Sequence, residues 1–183
     1  MPTQRIQRKH AGLLVVDVQE RLLPAIGEAA RLVENVIRLI KGATILDLPI
    51  FVTEQYRKGL GPTVPEITQA VPGFAPFHKS TFSACGAEGL LNALNQKKVS
   101  HVIICGIEAH VCVWQSCLDL LSQGMKVYVV ADAVSSRTHE NRQIGLDRMR
   151  DVDAVIVSAE MILFELLEQV GTEEFKQILA LVK

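Results

Sequence analysis

The chain predicts a three-layer α/β/α domain with a six-stranded parallel sheet. Three observations carry this expectation. Short, continuously apolar runs recur along the chain, and segments with helical periodicity separate them. Strands that are apolar throughout, rather than alternating, suit a sheet covered by helices on both faces. No internal repeat, low-complexity tract or linker divides the 183 residues, so the reading is one domain over 1–183.

Gly12 to Asp17 (GLLVVD) is the first strand, and a helix follows from about Ile26 to Lys41. That helix lines up Ala29, Leu32, Val33, Val36, Ile37 and Ile40 on one stripe. Pro49 to Thr53 (PIFVT) is the second strand. Glu54 to Phe74, rich in Gly and Pro, reads as a long loop with at most one short helix, and loops of that length are usually functional. Phe77 to Lys79 is a short third strand, with a helix from about Gly86 to Asn95 behind it. His101 to Gly106 (HVIICG) is the fourth strand, followed by a helix from about Ala109 to Gln123. Lys126 to Ala131 is the fifth, then a helix near Glu140 to Met149. Ala154 to Ser158 is the sixth, with a helix reaching Val170 and Gly171 placed to end it. A final amphipathic helix uses Phe175, Ile178, Leu179 and Val182.

The formal charge of -1 sets up no field that favours nucleic acid or anionic lipid. Arg5, Arg8 and Lys9 make the first ten residues basic, and they read as a solvated arm rather than a targeting signal. The run Ala11 to Val16 is too short for a signal-peptide core and is closed by Asp17. No stretch approaches the length of a membrane span. Cys85, Cys105, Cys112 and Cys117 form no CxxC pair, and a chain this large and apolar needs no disulfide staples, so a reducing cytoplasm is expected.

Ligands of open parallel sheets bind beyond the carboxyl ends of the strands. Asp17 ends strand one, Lys79 ends strand three, and Gly106 to Cys112 follow strand four, so three capable residues converge on one rim. Cys112 falls in the first turn of a helix, where unpaired N–H groups favour a thiolate. The rival reading is core packing. Val111, Trp114, Leu118 and Leu121 form the apolar stripe, widened by Val113, Cys117 and Leu120, whereas Cys112 shares its face with Ser116 and Asp119. Packing therefore accounts for Cys117, and for Cys105 within a strand, better than for Cys112; Cys85 is read as structural or incidental. Asp17 reads either as a general base or as a cap for the next turn. Lys79 reads as a surface lysine or as a cation that lowers a thiol pKa. The five histidines show neither HxH nor HExxH spacing, and no GxGxxG or GxxxxGK[ST] is present, so no cofactor or metal is expected. Asp132 is read as a cap for the loop after strand five.

These residues sit in blocks that resemble the isochorismatase-like hydrolase superfamily, which includes nicotinamidases and other cysteine amide hydrolases. The blocks are LLVVDVQERLLPAI around Asp17, FHKSTFSA around Lys79 and ICGIEAHVCV around Cys112, and the likeness runs over nearly the whole chain. TEQYRKGLGPTVPEI and ADAVSSRTHENRQIGLDRM resemble a branch whose members often lack an assigned substrate. The resemblance implies a catalytic triad of Asp17, Lys79 and Cys112 and strand order 3-2-1-4-5-6. It also implies a cis peptide at Ile107–Glu108 and an oxyanion site made by the Glu108 and Cys112 N–H groups. Metal-containing nicotinamidases resemble TxDxH after strand two, whereas Thr53-Glu54-Gln55-Tyr56-Arg57 stand here, which argues against that metal site. Vinyl-ether-splitting isochorismatases often lack the cysteine, so Cys112 points to acyl transfer from a small amide instead. The lining from Gln55 to Leu60, with Trp114, makes Gln55 and Trp114 the candidate substrate contacts. The implied partners are a small-molecule substrate and further copies of the chain, with neither nucleic acid nor membrane. Two rivals stand beside the enzyme: a small-molecule binder or scaffold without turnover, and a redox-active cysteine protein.

Overall fold

The computed structural model describes residues 5–183. Strands β1 (Ala11–Val16), β2 (Ile50–Gln55), β3 (Phe77–Lys79), β4 (His101–Ile107), β5 (Lys126–Ser135) and β6 (Val155–Val157) form one sheet in order β3-β2-β1-β4-β5-β6. Every pairing in it is parallel. All six residues of β1 are buried, because successive side chains enter different apolar layers. Leu13 and Val15 pack with helices α1 (Ala29–Ile45), α7 (Ala159–Leu167) and α8 (Glu173–Val182). Leu14 and Val16 pack with α4 (Leu90–Gln96), α5 (Trp114–Ser122) and α6 (His139–Asp151). That division explains why the central strands read as unbroken apolar runs.

Several boundaries differ from the sequence expectation. The segment after β2 holds two short helices, α2 (Arg57–Leu60) and α3 (Pro65–Ala70), where at most one was expected. Pro65 opens α3 at a position where its missing N–H costs nothing, and Ile67 buries the helix against the α1 layer. The β5 strand runs on to Ser135 after a register shift against β4, past the polar Asp132 that seemed to end it. Asp132 caps α7 rather than its own loop, its Oδ1 accepting from the Ala159 N–H at 2.8 Å. The α7 helix stops at Leu167, with Glu168 at φ 63°, so Gly171 does not terminate it.

The N-terminal arm is docked rather than solvated over its described part; residues 1–4 lie outside the described residues. Ile6 is buried, and both Arg8 Nη groups donate to Glu174 at 2.8 Å. The apolar stripe after β4 also turned by about one residue. Cys112, Val113, Ser116, Cys117 and Leu120 are buried, while Val111, Trp114, Leu118 and Leu121 are half-buried. The helix opens on a π turn, Ala109–Val113, so a 3.6-residue period does not run through its start.

Candidate active site

The strand order reverses between β1 and β4, and the polar cluster sits at that point. Asp17 follows β1 directly, in the left-handed region at φ 51°, a conformation Asp tolerates. Its side chain is fully buried, with Oδ1 accepting from Thr53 Oγ1 at 2.7 Å and Oδ2 lying 2.6 Å from Lys79 Nζ. Lys79 Nζ donates to Gln55 Oε1 (2.7 Å), Thr81 O (3.1 Å) and Phe82 O (2.9 Å). Those three acceptors use the hydrogens of the amino group. Asp17 Oδ2 is thus the ion-pair partner of Lys79, and the Cys112 thiol also bonds to the Asp17 carboxylate.

Cys112 enters from the π turn, with its Sγ 3.3 Å from the same Gln55 Oε1 that Lys79 holds. Ser116 fastens this turn from beneath: its Oγ donates to Cys112 O at 2.6 Å and accepts from Ala84 N–H at 2.7 Å. Glu108 lies behind the turn, its carboxylate tied to Arg137 Nε at 3.0 Å. The Ile107–Glu108 peptide is cis, as the resemblance implies.

The structure therefore brings Asp17, Lys79, Cys112 and Gln55 together. It places Trp114 elsewhere, half-buried in the α5–α6 contact with the Arg148 guanidinium 4.8 Å from its ring centroid. Among the described residues no three His, Cys, Asp or Glu side chains are grouped to hold a metal ion. Sequence reasoning missed Gln19, Thr53, Glu54 and Ser116, all fully buried polar residues. Glu54 points away from the cluster and accepts from Thr63 N–H (2.8 Å) and Thr63 Oγ1 (2.9 Å), pinning the loop to its strand. The available signal was polar residues flanking strands that are otherwise apolar; those seldom bury without a partner.

Electrostatics favour the neutral thiol: burial, then the neighbouring Asp17 charge and its hydrogen bond, push Cys112 up to about 12, against the pull of Lys79 and the Glu108 N–H. Cys85 is pushed up by burial to about 11, and Cys117 to about 12. Burial also raises the Asp17 carboxyl, with Lys79 and Thr53 opposing, which makes it a stronger base than an exposed Asp. Alkylation of Cys112 should therefore accelerate about tenfold per pH unit between roughly pH 7 and 10, since the thiolate fraction rises in that proportion below the pKa. Rates from iodoacetamide labelling with peptide mapping check this; a plateau near neutrality would mean that the thiolate already exists at rest.

Comparison with known proteins agrees with the fold. The isochorismatase domain model matches residues 11–161. The secreted isochorismatase effector Isc1 of Phytophthora sojae is 40% identical over 190 residues, covering 99% of this chain and 90% of its own. Among solved structures, the MAR1 ribonuclease from Caenorhabditis elegans superposes with a TM-score of 0.91 at 38% identity, covering 98% of this chain and 92% of its own. Two YcaC structures also superpose with a TM-score of 0.91. The Pseudomonas aeruginosa protein, 26% identical, carries hexane-2,5-diol and covalent acrylamide, and the alignment covers 99% of this chain and 93% of that one. The Escherichia coli protein, 25% identical, is an octameric hydrolase of unknown specificity, with coverage of 99% and 92%. With a family model spanning most of its length and relatives this similar over nearly all of it, the chain belongs to the isochorismatase family.

Proposed function

We propose that this protein is a cysteine hydrolase that cleaves a small amide-like C–N bond, with Cys112 as nucleophile, Asp17 as proton carrier and Lys79 as the balancing cation. The observation that carries the reading is the buried cluster in which Cys112 Sγ and Lys79 Nζ meet one Gln55 oxygen, with the Asp17 carboxylate 2.6 Å from the same amino group. The thiol is neutral at rest, so deprotonation accompanies attack. The S–H proton passes to Asp17 as Sγ bonds to the carbonyl carbon, and the carbonyl electron pair moves onto oxygen. The N–H groups of Glu108 and Cys112 hold that oxygen, a role supported by the Glu108 N–H already directed at the sulfur. Collapse expels the amine, which takes the proton from Asp17. Water then cleaves the thioester, with Asp17 again as base.

The covalent acrylamide of the Pseudomonas relative supports a pocket of this fold that admits a small electrophilic amide. The octameric Escherichia coli relative supports a homo-oligomer here. Four free cysteines support a reducing compartment, although the Phytophthora relative is described as secreted. A screen of small primary and secondary amides, with product detected by mass, tests the activity; the nematode relative's description adds a short RNA to the same panel. Cys112→Ala should reduce turnover to background while substrate still binds, since only the attacking atom is lost. Turnover at near wild-type rate in that variant would move the chemistry to another residue.

A further inference from the structure

The β1 strand ends at Val16, two register positions before its neighbour β2 ends at Gln55. Gln55 consequently has β3 on one side, opposite Lys79, and no strand on the other. The Gln19 side chain fills that gap. Its Oε1 accepts from Gln55 N–H at 2.8 Å, and its Nε2 donates to Gln55 O at 2.9 Å and to Gly61 O at 2.6 Å. An amide can do this because it carries one donor and one acceptor side by side, the same pair that a backbone strand presents. Gln19 is fully buried, so the substitute strand is as dry as a real one.

With its main chain fixed on both sides, Gln55 aims its own amide into the cluster. An ammonium has only hydrogens to offer, so the atom facing Lys79 Nζ at 2.7 Å is the amide oxygen. Cys112 Sγ, 3.3 Å from that same oxygen, can interact favourably only by donating, and so carries its proton. The Asp17 carboxylate is the thiol's second acceptor, so the sulfur stands between the base and the Gln55 oxygen.

We propose that Gln55 is a positioning residue: its side-chain oxygen holds the Cys112 thiol and the Lys79 amino group side by side at the Asp17 carboxylate, and Gln19 sets its place. The proposal rests on the reading of Cys112 as nucleophile. Attack begins when the thiol leaves the Gln55 oxygen and its proton passes to the Asp17 carboxylate as the sulfur–carbon bond forms. Holding the thiol in its neutral form protects a free cysteine in this site from oxidants and stray electrophiles, since the thiolate is the reactive form.

The test is the rate of Cys112 alkylation by iodoacetamide at about pH 8, with Cys105 and Cys117 followed as reporters of opening. Gln55→Met removes the acceptor while keeping the bulk, and should accelerate labelling at Cys112 about three- to tenfold, the worth of one ordinary hydrogen bond to the neutral form. Gln55→Glu returns an acceptor to the same place, and should label no faster than wild type. A purely structural role would move both variants in the same direction. An unchanged or slower rate in a closed Gln55→Met, or equal acceleration by Gln55→Glu, overturns the proposal. Should Gln55→Met expose Cys105 and Cys117, Gln55→Asn carries the same comparison with the oxygen withdrawn by one methylene. The Cys112 S–H stretching band of the wild type, assigned by its loss in Cys112→Ser, must then also be present and hydrogen-bonded at neutral pH; its absence overturns the proposal. No measurement here needs a substrate. Failure of the hydrolase reading, seen as turnover that survives Cys112→Ala, therefore stays distinct from failure of this one.

Discussion

Asp17→Asn is expected to lower turnover about 10²–10⁴-fold, the usual contribution of a positioned proton carrier, and to destabilise the fold by about 3–5 kcal/mol. The two losses have different origins. Turnover falls because an amide cannot take the Cys112 proton. Stability falls because Lys79, whose side chain is fully buried, loses the opposite charge 2.6 Å away. Combining Asp17→Asn with Lys79→Met separates them: the double variant should regain much of the stability of the wild type and none of its activity. Urea midpoints and initial rates for the three proteins check this. A double variant less stable than both single ones would show that the pair contributes something other than mutual neutralisation. The pH profile carries a second signature. The reaction uses the ionised carboxylate, and burial raises the Asp17 pKa, so activity should be lost on the acid side at a higher pH than an exposed Asp would dictate. In Asp17→Asn that acid limb should vanish from the residual rate.

Gly106→Ala is expected to destabilise the protein on the order of 4 kcal/mol, enough to leave a large unfolded fraction in a domain of ordinary stability. Two independent penalties add. Gly106 sits at φ 116°, where an L side chain is strained by roughly 1–3 kcal/mol. A Cβ built there would lie 2.1 Å from Val16 O, a backbone atom that can yield only by moving the end of β1, and such overpacking costs about 1–3 kcal/mol more. Because Asp17 directly follows Val16, the surviving folded fraction should also turn over more slowly. Denaturation with both near- and far-ultraviolet circular dichroism measures the first effect. A midpoint within error of the wild type would mean that β4 and β1 can separate at this point without loss.

The sheet was legible because its central strands are buried on both faces, so Leu13 to Val16 and Val102 to Cys105 declare themselves without alternation. Asp17, Lys79 and Cys112 were legible as a set because each follows or ends a different strand on one rim. What escaped was long-range polar pairing. Ser116 and Gln19 look like surface residues until Ala84 N–H and the Gln55 backbone supply partners from distant segments. Arg8 likewise reads as solvated until Glu174 arrives from 166 residues away. The direction of Trp114 was not legible either, because its place near Cys112 in the chain hides the half-turn of helix that brings it against Arg148 of α6. The electrostatic balance at Cys112 was hidden for a related reason. A helix start and a lysine both argue for a thiolate, but the degree of burial that outweighs them is a property of the assembled layers.

Glu54 stands with its back to the reaction, a fully buried carboxylate holding Thr63 through both backbone and hydroxyl. It stands one residue from Thr53 and Gln55, which serve the cluster from the opposite side of the same strand. One strand therefore carries two anchors, one for the reactive groups and one for the loop, and Gln19 joins the first of them to the loop at Gly61. A change between Tyr56 and Gly61 would reach Gln55 through the Gln19 amide, whereas the hold of Glu54 on Thr63 lies outside that link. Glu54 is thus the grip that a redesign of the segment can leave untouched, and Gln19 is the one it must keep in register.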